Sequence, residues 1–199
     1  MDKVLSSPTE NGSGARDPLA SPNAFVRLLR LLEHSDRVDP VIVAIEPVAG
    51  RLVADRRLRH LLHGEGTGVP LHVILTDVPL GAWFMAQFLD LFQDVGLQRA
   101  ATRLVGLGLI GAVPTAIAGW AEWALAYRGT RRVGLFHASV NAVGTVVFVA
   151  SWAARLQNRR GLGVGLARVG GAVLIVGAMA GGYMRSIRPE DPASNQAQS

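Results

Sequence analysis

His72, Asp77, Glu122, His137 and Asn141 stand in stretches that otherwise carry almost no charge. His137 belongs to the run Val133–Trp152, which has no other acidic or basic residue, and Asn141 follows one helical turn later on the same face. Hydrocarbon does not solvate ionisable groups, so those that an apolar helix keeps need a reason. Two neutral imidazoles from different helices can hold a b-type haem, with second-shell carboxylates orienting their far nitrogens. The same groups can relay protons, since histidines and carboxylates titrate near the working range once neighbours shift them. A quinone or a lipid headgroup can also dock against histidine, flanked here by Trp83, Trp120 and Trp123. The plain alternative is a hydrogen-bonded knot between helices at the membrane boundary, with Trp120 and Trp123 as interfacial anchors.

The elements that carry these residues are apolar segments at about 69–92, 100–127, 133–152 and 162–184. Each is long enough for a helix to cross a hydrocarbon core of about 30 Å. The 199-residue chain is 49% hydrophobic, an excess concentrated after Val69, and its 23 glycines fall largely inside the apolar runs, as membrane helices tolerate. The reading is therefore all-α: a four-helix transmembrane bundle over 69–185 with N-terminal cytoplasmic amphipathic helices. Short connections make consecutive helices antiparallel neighbours. His72 and Asp77 then lie near the start of the first helix, Glu122 near the end of the second, and His137 and Asn141 near the start of the third. All five fall in one layer. Helical geometry already sets Asp77 apart, because a spacing of five turns it about 140° from His72. Thr76, Pro79 and Trp83 share the His72 face better. Asp90, at the far end of the first helix, reads as a solvated boundary residue.

Outside the bundle, residues 1–22 are polar and expected to be disordered, with no signal peptide. Asn23 is placed to cap an amphipathic helix through Glu33. Asp39 and Pro40 suit the cap and first turn of a second helix, running to His63 with a kink at Pro47. Residues 23–68 are expected to lie on the membrane surface or on the bundle, and the tail from 186 to be mobile. Arginine asymmetry orients the chain. With the N-terminus inside, nine arginines flank the inner ends and six the outer, which favours both termini in the cytoplasm of a multi-pass plasma-membrane protein.

Several chemistries are excluded. The chain has no cysteine, so disulfides, thiolate metal sites and cysteine nucleophiles are out. The net charge of +5 comes without a basic stripe interleaved with exposed aromatics, which argues against nucleic acid. Gly106-Leu-Gly-Leu-Ile-Gly111 spells a dinucleotide fingerprint but follows no strand, so these are packing glycines. His60 and His63 lie in a basic helix with weak acidic partners, a poor metal site. In the fourth segment, Gly161 with Gly165 and Gly177 with Gly181 are spaced for close helix approach.

The chain resembles small bacterial four-helix membrane proteins of a domain of unknown function, some of them fused to Rieske iron–sulfur domains. The resemblance covers about 39–182. It rests on Gly68-Val-Pro-Leu-His72, Leu75-Thr-Asp-Val-Pro-Leu-Gly-Ala-Trp83, Leu89-Asp-Leu91, Gly119-Trp-Ala-Glu-Trp123, Arg132-Val-Gly-Leu-Phe-His-Ala-Ser-Val-Asn141 and Ser151-Trp152. It implies redox work at the membrane without an established activity. Departures are Val69 and Val73, where the family commonly has His and Pro, Glu122 for its frequent Asp, and Tyr183 for a usual His. If those missing histidines are haem ligands in relatives, His72 and His137 are the only pair left.

The leading expectation is thus a non-enzymatic membrane subunit associated with electron transfer. His72 and His137 would be its haem or quinone contacts, with Asp77, Glu122 and Asn141 behind them. Its partners would be the lipid bilayer and a Rieske-type or other electron-transfer membrane protein, and self-association is open to it. The other classes are a structural or assembly protein without cofactor, and a small proton or solute conduit.

Overall fold

The structure, a computed structural model, describes residues 23–64 and 69–187, without the side chain of His63. The expectations for residues 1–22 and for the tail beyond 187 lie outside these described residues. Among the described residues, seven helices run in order: α1 (Ala24–Glu33), α2 (Asp39–Ala54), α3 (Arg56–His63), α4 (Leu71–Leu89), α5 (Val95–Leu125), α6 (Arg128–Leu156) and α7 (Arg160–Ser186), with a 3₁₀ turn at Asp36–Val38. Among the described residues there is no strand. Of the described helices, four, α4 to α7, are long and apolar enough to cross a membrane, with mean hydropathies from 1.2 to 1.9. Their outward faces carry bare aliphatic surface such as Ile110 and Val146, 72% and 66% exposed, which calls for lipid as solvent.

Helix ends follow their capping chemistry. Asn23 accepts a hydrogen bond from Phe25 N at 2.9 Å, Asp55 from Leu58 N and Asp94 from Leu97 N, each at 2.8 Å. Asp55 corrects the expectation of one helix kinked at Pro47. Its backbone is extended there (φ −78°, ψ 124°), so α2 stops and α3 starts, while Pro47 sits inside α2. Asp39 is likewise the first residue of α2 rather than its cap, which is Val38.

The bundle consists of two closely packed hairpins, α4–α5 and α6–α7, meeting chiefly through α5 and α6. Rings seated on glycines allow this closeness. Trp83 lies over Gly108, Trp152 over Gly106, Phe148 over Gly170 and Trp123 over Gly134. The pairing expected of Gly161 and Gly165 does not occur, for both face open space. Gly163 and Gly170, on another face of α7, make that contact.

The helices α1 to α3 dock on one end of the bundle, hereafter the capped end. Leu29 is enclosed with Val133 and Ala180, and Ile42 and Ala49 pack with Trp123 and Ala124. Buried Arg132 of α6 fixes this docking. Its Nε and Nη2 donate to the two Asp39 oxygens at 2.8 Å each, Nη1 donates to Glu33 O at 3.0 Å, and Nη2 also meets Asp36. The Arg132 hydrogen bonds hold the Asp39 carboxyl below its usual range. Tyr183 Oη adds a hydrogen bond to Glu33 at 2.7 Å.

Candidate functional site

His72 is the second residue of α4, and its ring lies against α5. Nδ1 donates to Thr115 O at 2.9 Å, and Cε1 would be 2.9 Å from a Cβ on Gly119. Glycine there is what lets the imidazole reach the neighbouring backbone. One turn on, Thr76 Oγ1 donates to His72 O at 2.7 Å. His137 is held in the same way in the other hairpin. Its Nδ1 donates to Gly177 O at 2.8 Å, and its ring rests against Gly181.

These bonds decide the tautomer. A carbonyl oxygen only accepts, so Nδ1 carries the proton in both rings, and each neutral ring keeps its lone pair on Nε2. The two nitrogens differ in their surroundings. The Asn141 amide nitrogen donates to His137 O at 2.9 Å and lies 3.0 Å from Nε2 and 3.3 Å from Nδ1 of His137, against the ring and not in line with the Nε2 lone pair. Among the described residues, no hydrogen bond reaches Nε2 of His72.

Of the five residues singled out in the sequence, His72 joins α4 to α5, and His137, with Asn141 against it, joins α6 to α7. Asp77 sits on the exposed face of α4 and supports neither imidazole. Glu122 is half-buried near the same end of α5, three residues beyond Gly119. The tryptophans do not flank the rings as a group. Trp83 is three turns away, with Nε1 donating to Val105 O at 3.1 Å and its ring stacked on Phe148 at 4.2 Å. Trp123 is buried rather than interfacial; its Nε1 donates to Arg131 O at 2.9 Å, and it packs edge-on to Trp120.

Asp90 departs furthest from expectation. Its side chain is 2% exposed and accepts from Arg155 Nη1 at 2.9 Å, Arg155 Nη2 at 2.5 Å and Arg160 Nη2 at 2.9 Å. Ser151 supports the guanidinium, receiving a bond from Arg155 Nε at 3.3 Å and donating to Gly163 O at 2.6 Å. Read within its own segment, an acid at a helix end looks solvated. Two arginines from other helices enclose it. Thr115 and Gly177 were equally silent, because a backbone carbonyl acceptor leaves no side-chain signature. The four-residue spacing of Gly177 and Gly181 was the visible part of that seat.

Four apolar helices with bare aliphatic faces define a multi-pass membrane protein of the helical-bundle class. Residues 68–185 match the family described as predicted membrane protein, DUF2231, and the chain belongs to that family. No curated protein and no solved structure matches the chain.

Proposed function

We propose that this chain is a non-enzymatic subunit of an electron-transfer assembly in the bacterial plasma membrane, both termini cytoplasmic, with His72 and His137 as the contacts for a b-type haem. One observation carries the reading: two imidazoles from different hairpins each give Nδ1–H to a main-chain carbonyl and so keep Nε2 as a lone-pair donor. The donor set would suit a metal that takes one imidazole nitrogen from each hairpin. It fits a quinone less well, because a quinone carbonyl needs an N–H where these rings offer a lone pair. When bound, haem supplies one-electron exchange. The chain's part is to orient the two rings through Thr115 and Gly177 and to hold the proton on Nδ1. The similarity to chains fused to Rieske domains makes an iron–sulfur protein the partner under this reading.

The absorbance spectrum of detergent-purified protein tests it. A Soret band lost in His137→Ala supports haem, whereas a colourless, folded protein with intact histidines rules it out. A second reading, a structural or assembly protein, is favoured by the hydrogen bond each imidazole makes across its own hairpin and by the Asn141 amide packed against His137. Under it, His137→Ala loses stability without a spectral change.

A further inference from the structure

The two hairpins share more than an architecture. His72 and Trp83 in α4 and His137 and Phe148 in α6 have the same spacing of 11 residues. In the second helix of each hairpin, Gly108, Thr115 and Gly119 recur as Gly170, Gly177 and Gly181 with identical spacing. The equivalent residues make equivalent contacts. The histidine bonds the carbonyl of Thr115 or of Gly177 and meets the glycine four residues beyond; the ring 11 residues later sits on Gly108 or on Gly170. Thr76 and Asn141 also correspond, and each donates to the main-chain oxygen of its own histidine. Three further buried pairs keep the register: Ala101 with Gly163, Val105 with Ala167, and Ala118 with Ala180.

Equivalent residues also touch one another. Trp83 stacks on Phe148 with planes 4° apart, and Asp90 pairs with Arg155, its counterpart at the same offset. Contacts between corresponding residues of two copies mark a two-fold axis, here approximate and running along the bundle. Eleven residues make about three turns, so His72 lies on the same face of α4 as Trp83, about 16 Å nearer the capped end, and His137 stands likewise to Phe148. Faces that meet at the rings therefore present both imidazoles at one level.

We propose that the membrane domain is a duplicated α-hairpin, and that His72 and His137 form one shared two-imidazole ligand site on its pseudo-two-fold axis, restrained in the second copy by Asn141. The ligand class is a metal-centred group that takes one lone pair from each copy; this part rests on the haem reading above, while the shared axis does not. The duplication supplies its own control. Threonine already occupies the Asn141 position in the first copy, so Asn141→Thr takes the amide off the His137 ring and leaves a residue that bonds the histidine carbonyl in that setting.

Two measurements test the proposal on the full chain. In the first, detergent-purified protein is titrated with hemin. One hemin per chain with a six-coordinate, low-spin spectrum is expected, lost in both His72→Ala and His137→Ala. Asn141→Thr should retain one hemin per chain with the same spectrum, because Thr76 stands at the equivalent position beside His72. Two hemins per chain, or a bis-imidazole spectrum surviving in either histidine variant, overturns the shared site. The second needs no haem. The chain has no cysteine, so His72→Cys with His137→Cys offers only two thiols to a short bifunctional methanethiosulfonate. Intramolecular linkage that joins the halves after cleavage of the α5–α6 connection supports the shared axis. Equal linkage of His72→Cys with Ser139→Cys, on the exposed side of α6, overturns it. Linkage in a protein that takes no hemin leaves the axis standing and removes the haem reading.

Discussion

Gly108→Ala puts the ring-on-glycine packing to its sharpest test. A Cβ there would stand 2.3 Å from Trp83 Nε1, 2.6 Å from Cδ1 and 2.7 Å from Cε2, where ordinary contact is 3.4–4 Å. The indole must retreat by about 1 Å or more, and it has nowhere free to go, being 3% exposed and stacked on Phe148. Retreat forfeits the hydrogen bond to Val105 O, about 0.5–1.5 kcal/mol, and disturbs an aromatic stack of about the same worth. Overpacking adds about 1–3 kcal/mol, and the helix preference of alanine over glycine returns about 1, which leaves a net loss near 3 kcal/mol. Gly165→Ala is the matched control, since a Cβ there meets nothing within 4 Å. Thermal unfolding followed by circular dichroism in one detergent should place Gly108→Ala well below wild type and Gly165→Ala level with it or above. If the two alanine variants melt together, the contact between α4 and α5 is not as described.

Asp90→Ala should cost about 3–5 kcal/mol in the same assay, because it strands the buried Arg155 guanidinium and takes a partner from Arg160. Asp77→Asn should change neither stability nor any histidine-dependent spectrum, since its side chain faces outward. Docking of α1 and α2 should depend on pH through Asp39. Its carboxyl is held below the usual range, so the Arg132 contact is at full strength above pH about 4 and fades as pH falls through the lowered range. Limited proteolysis near residues 34–39 should report this, with Arg132→Gln cleaved there even at neutral pH.

The residues of one segment determined a good deal. Apolar runs of bilayer length dictate helices whatever their neighbours do, because lipid leaves backbone groups no other partner. Connections of a few residues dictate antiparallel neighbours, and the level of His72 and His137 follows from that threading. The spacing of five also separated Asp77 from His72 without coordinates. What a segment cannot express is which helix its polar groups meet. Asp90 looks like an exposed acid until Arg155 and Arg160, 65 and 70 positions away, close over it. Arg132 looks like one more charge for orientation until it is found gripping Asp39. The carbonyls of Thr115 and Gly177, which fix the imidazole tautomers, exist as acceptors only once a neighbouring helix brings a ring within 3 Å. Hydrophobic transfer acts on each segment separately and is written in composition. Hydrogen bonds and ion pairs need two groups at contact distance, and only packing supplies the second.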